Sequence, residues 1–168
     1  MLFRSTLISV FAASTCSHYF LDPRRRHFFR RLDQGCIYLL IAGTMTPYGL
    51  VYFATDGWWL LLGPIWGLAL AGFCSKVFWA HRVETVSTVS YVLLGWVPIV
   101  GIKRIYELMP AGGLVVISVG ATCYTLGTLF LTLDQKYRWF HAVWHLLVIG
   151  GCACGYIGIL AYVVPGDL

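Results

Sequence analysis

The sequence predicts an all-α fold, a polytopic bundle of transmembrane helices forming a single integral membrane domain over residues 1–168. Three observations predict it. Hydrophobic residues make up 59% of the chain and charged residues only 11%, with a mean hydropathy of +0.76. Soluble domains usually carry about 25% charged residues, so this chain has too few to cover a water-facing surface. Six apolar runs approach the roughly 20 residues that a helical span needs. Aromatic residues reach 16%, in keeping with the preference of Trp and Tyr for membrane interfaces.

The six spans are expected at about 2–20, 34–54, 57–79, 86–102, 112–133 and 140–164. The first run, MLFRSTLISVFAASTCSHYF, has the basic residue and apolar stretch of a signal peptide. It is kept in the fold because its polar residues join the constellation described below. The second follows the basic connector LDPRRRHFFRRLD, and the third follows a tight turn at Asp56-Gly57. The connectors AHRVE, KRIYELMPAG and DQKYRW separate the rest. Stretches such as LLGPIWGLALAGF and GGLVVISVGATCY lack the alternation of barrel strands. They read as helices, which alone among open structures satisfy their own backbone groups in lipid. Pro47, Pro64 and Pro98 fall inside spans, where kinks are tolerated if neighbours re-satisfy the backbone. Gly67-xxx-Ala71 and Gly151-xxx-Gly155 are small-residue pairs of the kind that lets helices pack closely.

The net charge of +5 reads as topology rather than nucleic-acid binding, because the basic residues sit in short gaps between apolar runs. Arg24, Arg25, Arg26, Arg30, Arg31, Lys76, Arg82, Lys136 and Arg138 fall on one side; Arg4, Lys103 and Arg104 fall on the other. This nine-to-three asymmetry places residues 21–33 in the cytoplasm and both ends of the chain outside. Attraction to anionic lipid accompanies the arginine run. Cys16, Cys36, Cys74, Cys123, Cys152 and Cys154 lie within apolar runs and form no CxxC pair. They read as small buried hydrophobes, not as the disulfide framework of a small secreted domain.

The same topology gives the histidines a meaning. His18 falls at the cytoplasmic end of the first span, Asp33 at the start of the second, and His141 and His145 in the first turns of the last. Residues at i and i+4 share a helix face, so His141 and His145 can reach one metal. His18 would supply a third nitrogen, with Ser14 one turn before it on the same face. Three histidines leave a fourth position open for water, the pattern of catalytic rather than structural zinc. Zinc lowers the pKa of such a water to about 7, and Asp33 could accept its proton or orient it. The alternative is that each histidine is an interfacial or helix-contact residue. HxxxH is a weak motif on its own, and this one lacks the glutamate of HExxH. Ionisable residues within a membrane are nevertheless rare and often functional. His27, in the arginine run, and His81, in a short turn, read as solvated or headgroup contacts.

Ser14-xxx-His18, LDQGCIYLLIAGTMTPYG (32–49), YTLGTLF (124–130) and FHAVWHLLVIGG (140–151) occur in an order that resembles the hemolysin III family, the bacterial branch of the progestin and adipoQ receptor family. The resemblance implies a seven-helix membrane fold with zinc near the cytoplasmic side. It assigns zinc ligation to His18, His141 and His145, a zinc-bound water to Asp33, and a place nearby to Ser14. The match begins in what would be the family's second helix, so the expected bundle has six spans and lacks the first. Gln34 and Gly155 stand where the family often has further histidines, which puts substrate handling in question.

Three functions compete. One is a zinc-dependent membrane hydrolase of lipid amide or ester bonds, since the similar sites of adiponectin receptors and alkaline ceramidases are associated with ceramide hydrolysis. The second is a pore-forming or membrane-perturbing protein, and the third is a receptor-like protein with structural zinc. A pore should show a polar stripe through several spans, whereas here the polar groups gather at one end. Membrane lipid is the expected partner, without nucleic acid, and the plasma (inner) membrane the expected location. The orientation is directly testable. A cysteine introduced at residue 27 is expected to react with a membrane-impermeant thiol reagent only from the cytoplasmic face, and labelling only from outside would invert the topology.

Overall fold

A computed structural model describes residues 2–54, 57–79, 84–134, 136–137 and 139–164. His81, Arg82, Arg138 and Asp56 lie outside the described residues. Those described are all helix and connection, with no strand. The helices are α1 (Leu2–Tyr19), α2 (Pro23–Tyr52), α3 (Leu62–Phe78), α4 (Glu84–Trp96), α5 (Ile102–Leu108), α6 (Ala111–Leu133) and α7 (Phe140–Gly158). A 3₁₀ stretch, Val97–Gly101, joins α4 to α5 as one irregular rod. Its cause is Pro98, which has no N–H to donate and whose ring crowds the carbonyl four residues back.

Four segments are long and apolar enough to cross a membrane: Pro23–Tyr52, Thr88–Leu108, Ala111–Leu133 and Phe140–Val163. Two of the six expected spans, α1 and α3, fall short of this measure for physical reasons. Helix α3 is apolar but has only 17 residues, because a 3₁₀ turn, Trp58–Leu61, takes up the start of the expected span. Helix α1 is diluted by Arg4, four serines, two threonines and His18. The surface has the character expected in lipid, since Leu68, Leu93, Val115 and Leu146 are each more than half exposed.

Helix α2 is the centre of the bundle. Its most apolar stretch is 61% buried, against 11% to 22% for the other three candidate spans. It contributes to all three core clusters. Cys36 and Leu40 meet Phe3, Val10, Ala13 and Cys152; Tyr38 and Ala42 meet Ile65, Ala69 and Tyr91; Tyr48 and Tyr52 meet Ile105 and Met109. Polar groups on this helix find partners inside the bundle, as a low-dielectric setting demands. The Tyr38 hydroxyl is 2.6 Å from Ser90 Oγ, the Tyr91 hydroxyl donates to the Gln34 carbonyl at 2.8 Å, and the Trp66 indole N–H donates to Thr46 Oγ1 at 3.0 Å. The helix continues through Pro47, and the Thr44 and Thr46 hydroxyls donate to the carbonyls of Leu40 and Ala42 just before it.

Two further expectations are corrected. Residues 21–33 are not a connector, because helix α2 already begins at Pro23. Asp22 caps it, its carboxylate accepting the Arg25 N–H at 2.9 Å, and Pro23 occupies the first turn, a pairing that favours helix initiation. Pro64 does not kink a span, since it lies in the first turn of α3, where a missing N–H costs nothing. The small-residue pairs also divide. Gly151 packs on Tyr124, whereas Gly67 has nothing within 4 Å and faces outward. The close approach on α3 is at Gly72, where an added Cβ would stand 2.5 Å from the Tyr38 ring.

That ring is fixed by Ser90 and by Tyr91, whose ring centroid lies 4.5 Å away. Gly72→Ala is therefore expected to cost about 1–3 kcal/mol, while Gly67→Ala should stay within about 0.5 kcal/mol. Thermal unfolding in detergent micelles checks both, and equal midpoints for the two variants would contradict this packing.

Candidate metal centre

The helices alternate in direction, and this brings distant residues to one end. Gly35 of α2 lies beside Phe73 and Val77 near the end of α3, and Gly127 near the end of α6 lies beside Trp144 near the start of α7. At the opposite end, Gly113 at the start of α6 meets Tyr162, and Gly158 meets Tyr48. The end of α1, the first half of α2 and the start of α7 therefore share one end of the bundle. The α2 arginines, Lys76 and Lys136 lie at that end too.

His18 is in the last turn of α1. The chain reverses within three residues, because Asp22, preceding a proline, is extended at φ −62° and ψ 122°. Phe20 stacks on Phe29 of α2 with centroids 5.1 Å apart, and the Arg25 guanidinium lies 5.8 Å over the Phe20 ring. This corner holds the end of α1 against α2. His141 and His145 sit one turn apart on α7, with their Nε2 atoms 3.2 Å apart. The His18 ring centroid lies 5.8 Å from that of His141 and 5.7 Å from that of His145.

One ligand nitrogen from each histidine can be chosen so that all three lie within 4.8 Å of one another. A tetrahedral zinc with bonds of 2.0–2.1 Å needs nitrogens about 3.4 Å apart. The α7 pair already stands at that spacing, and His18, which is exposed, has room to rotate inward. Trp144 is buried against the pair, its ring centroid 4.3 Å from that of His145. The three residues can thus hold a metal ion.

Asp33 is buried on α2. Ser14, Asp33 and His145 line one end of a cavity of about 400 Å³. The cavity continues past Ile37, Leu40 and Ile41 towards Tyr48 and Phe53. His27 is exposed on α2 and takes no part in the cluster. The positions of Gln34 and Gly155 act through their backbones, whose carbonyls accept from Tyr91 and Tyr48. The six cysteines are free, with Cys36 and Cys152 buried.

One residue at the site escapes a sequence reading. The Asp134 carboxylate lies 3.0 Å from His141 Nδ1. The signal was present as a carboxylate seven residues before the HxxxH pair, but nothing in the spacing shows that the α6–α7 turn folds it back.

The family described as "Haemolysin-III related" matches residues 1–156. Hemolysin-3 of Bacillus cereus is 38% identical over 160 residues, covering 95% of this chain and 73% of that protein. The Hemolysin-3 homolog of Bacillus subtilis (strain 168) is 31% identical over 163 residues, covering 97% and 76%. Monocyte to macrophage differentiation factor of Homo sapiens is 26% identical over 140 residues, covering 81% and 56%. No solved structure matches the chain.

Proposed function

The chain belongs to the haemolysin-III related family, and from that premise we propose that it is a zinc-dependent membrane hydrolase of lipid amide or ester bonds. The observation that carries the reading is the convergence of three imidazoles, one of which, His145, lines the same end of a largely apolar cavity as the buried Asp33 carboxylate. His18, His141 and His145 would hold the zinc. Bound there, zinc supplies a Lewis acid and lowers the pKa of water into the neutral range.

The remaining roles belong to the chain's own groups. Asp33 takes the proton of the attacking water or orients it, and Ser14 lines the same end of the cavity. The 20 residues from Asp33 to Tyr52 rise about 30 Å, which is the thickness of a hydrocarbon core. The ten helical residues before Asp33, with their five arginines, then project into the headgroup layer. Asp33 sits at the boundary, where the amide or ester of a membrane lipid lies. From Asp33 to Tyr48 the cavity follows about 22 Å of helix rise, which suits an extended acyl chain. Its volume is in the range of small-ligand sites.

The name of the bacterial relatives raises a membrane-lytic role as the second reading. Tyrosines aside, Asp33 and His145 are the ionisable groups lining the cavity among the described residues, and both sit at one end. Further along, the polar lining is uncharged hydroxyls such as Thr44, Ser118 and Thr122, whereas ion-selective pores use rings of charged side chains or carbonyls. We place the protein in the plasma (inner) membrane as a single multi-pass domain, with the site on the cytoplasmic side. In this reading α1 and α3 cross alongside the four longer apolar segments.

In liposomes carrying a ceramide and a glycerol ester lipid, the purified protein is expected to release fatty acid from one of them in a zinc-dependent manner. Asp33→Asn should lower kcat about 100-fold or more while leaving zinc content unchanged. A zinc-loaded protein that releases fatty acid from neither lipid would overturn the hydrolase reading.

A further inference from the structure

The pairing of Asp134 with His141 points beyond the three histidines. Asp134 is the C-cap of α6. A carboxylate there faces the negative end of the helix dipole and is locally unfavourable. Contacts among the described residues that follow nonetheless tie α6 to α7. The N–H groups of Lys136 and Tyr137 donate to the Leu133 carbonyl at 3.0 and 3.2 Å, and the Phe140 N–H donates to the Tyr137 carbonyl at 3.0 Å. Phe140 also packs on Phe130 and Tyr137, with centroids 5.0 and 4.8 Å away. These contacts fix the end of α6 against the start of α7, and with them the 3.0 Å spacing of Asp134 Oδ2 and His141 Nδ1.

This spacing decides the tautomer of His141. An ionised carboxylate only accepts hydrogen bonds, so Nδ1 must carry the hydrogen. In the neutral ring Nε2 is then the lone-pair atom. It is also the atom facing His145, 3.2 Å from that residue's Nε2. With Nδ1 engaged and Nε2 unprotonated, His141 presents its basic nitrogen to His145. A carboxylate on the far nitrogen of a metal-ligating histidine fixes its orientation and raises its basicity.

We propose that Asp134 is a positioning residue, which holds His141 in the Nδ1–H form with Nε2 turned toward His18 and His145 and so sets the zinc affinity of the site. The proposal rests on the metal reading of the three histidines. The carboxylate does not touch the metal or the substrate, and it acts only through the imidazole.

The test is zinc affinity, measured by competition with a chromogenic chelator on the full chain in detergent, together with nitrogen-15 NMR of the histidines in the metal-free protein. The wild type should show His141 as the Nδ1–H tautomer. Asp134→Ala should bind zinc about 10–100-fold more weakly and lose that tautomer preference. Asp134→Asn keeps size and shape and can still accept the Nδ1–H bond, so it should retain the tautomer and lose less affinity than the alanine variant. Its use also separates loss of the bond from misfolding of the turn. If the wild type binds zinc and both variants bind it equally well, Asp134 has no positioning role and the metal reading stands. If the wild type binds no zinc, the metal reading fails and the proposal falls with it.

Discussion

The bundle depends on the burial of one helix that is not uniformly apolar. Helix α2 carries Asp33, Thr44, Thr46 and Pro47 through the centre of the molecule. In a medium without water each of their polar groups needs a partner within the protein. The threonines turn back onto their own helix, and Trp66 and Tyr91 reach in from α3 and α4. Helices α3 and α4 are thereby drawn to α2 by polar as well as apolar contacts, while α1 packs on it through Phe3, Val10 and Ala13. In hydrocarbon that matters, because apolar surface alone gives helices little reason to leave lipid for one another.

Surrounding a central polar helix also places the chemistry. Because the rods alternate in direction, the start of α2 lies at the same end of the bundle as the ends of α1, α3 and α6 and the start of α7. Residues separated by more than a hundred positions then share one end of the molecule. The arginines of α2 stand beyond Asp33 at the positive end of their helix, where the dipole disfavours them. In the proposed membrane placement they face the anionic headgroup layer, which offsets that cost.

Much of this was legible in the sequence, and the misses have physical causes. Composition alone points to a membrane bundle, and the i,i+4 spacing of His141 and His145 together with span counting brings His18 and Asp33 to the same end. The start of α2 was misplaced because charge was read as connector, whereas the Asp22-Pro23 pair is a helix-start signal that holds even with arginines following. Gly67 and Ala71 looked like a packing face, but pairing a small residue with a small residue does not say which way the face turns. Ala69 and Gly72 turn inward instead. Asp134 was hidden because its partnership depends on the geometry of a turn, not on a periodicity.

The central claim is that His18, His141 and His145 ligate one zinc ion, and X-ray absorption at the zinc edge of the purified protein tests it most directly. Close to one zinc per chain is expected, with a first shell of three imidazole nitrogens at about 2.0–2.1 Å and one oxygen ligand at a similar distance. A shell containing sulfur at about 2.3 Å, which would draw on the cysteines instead, or a protein that retains no zinc, would contradict it.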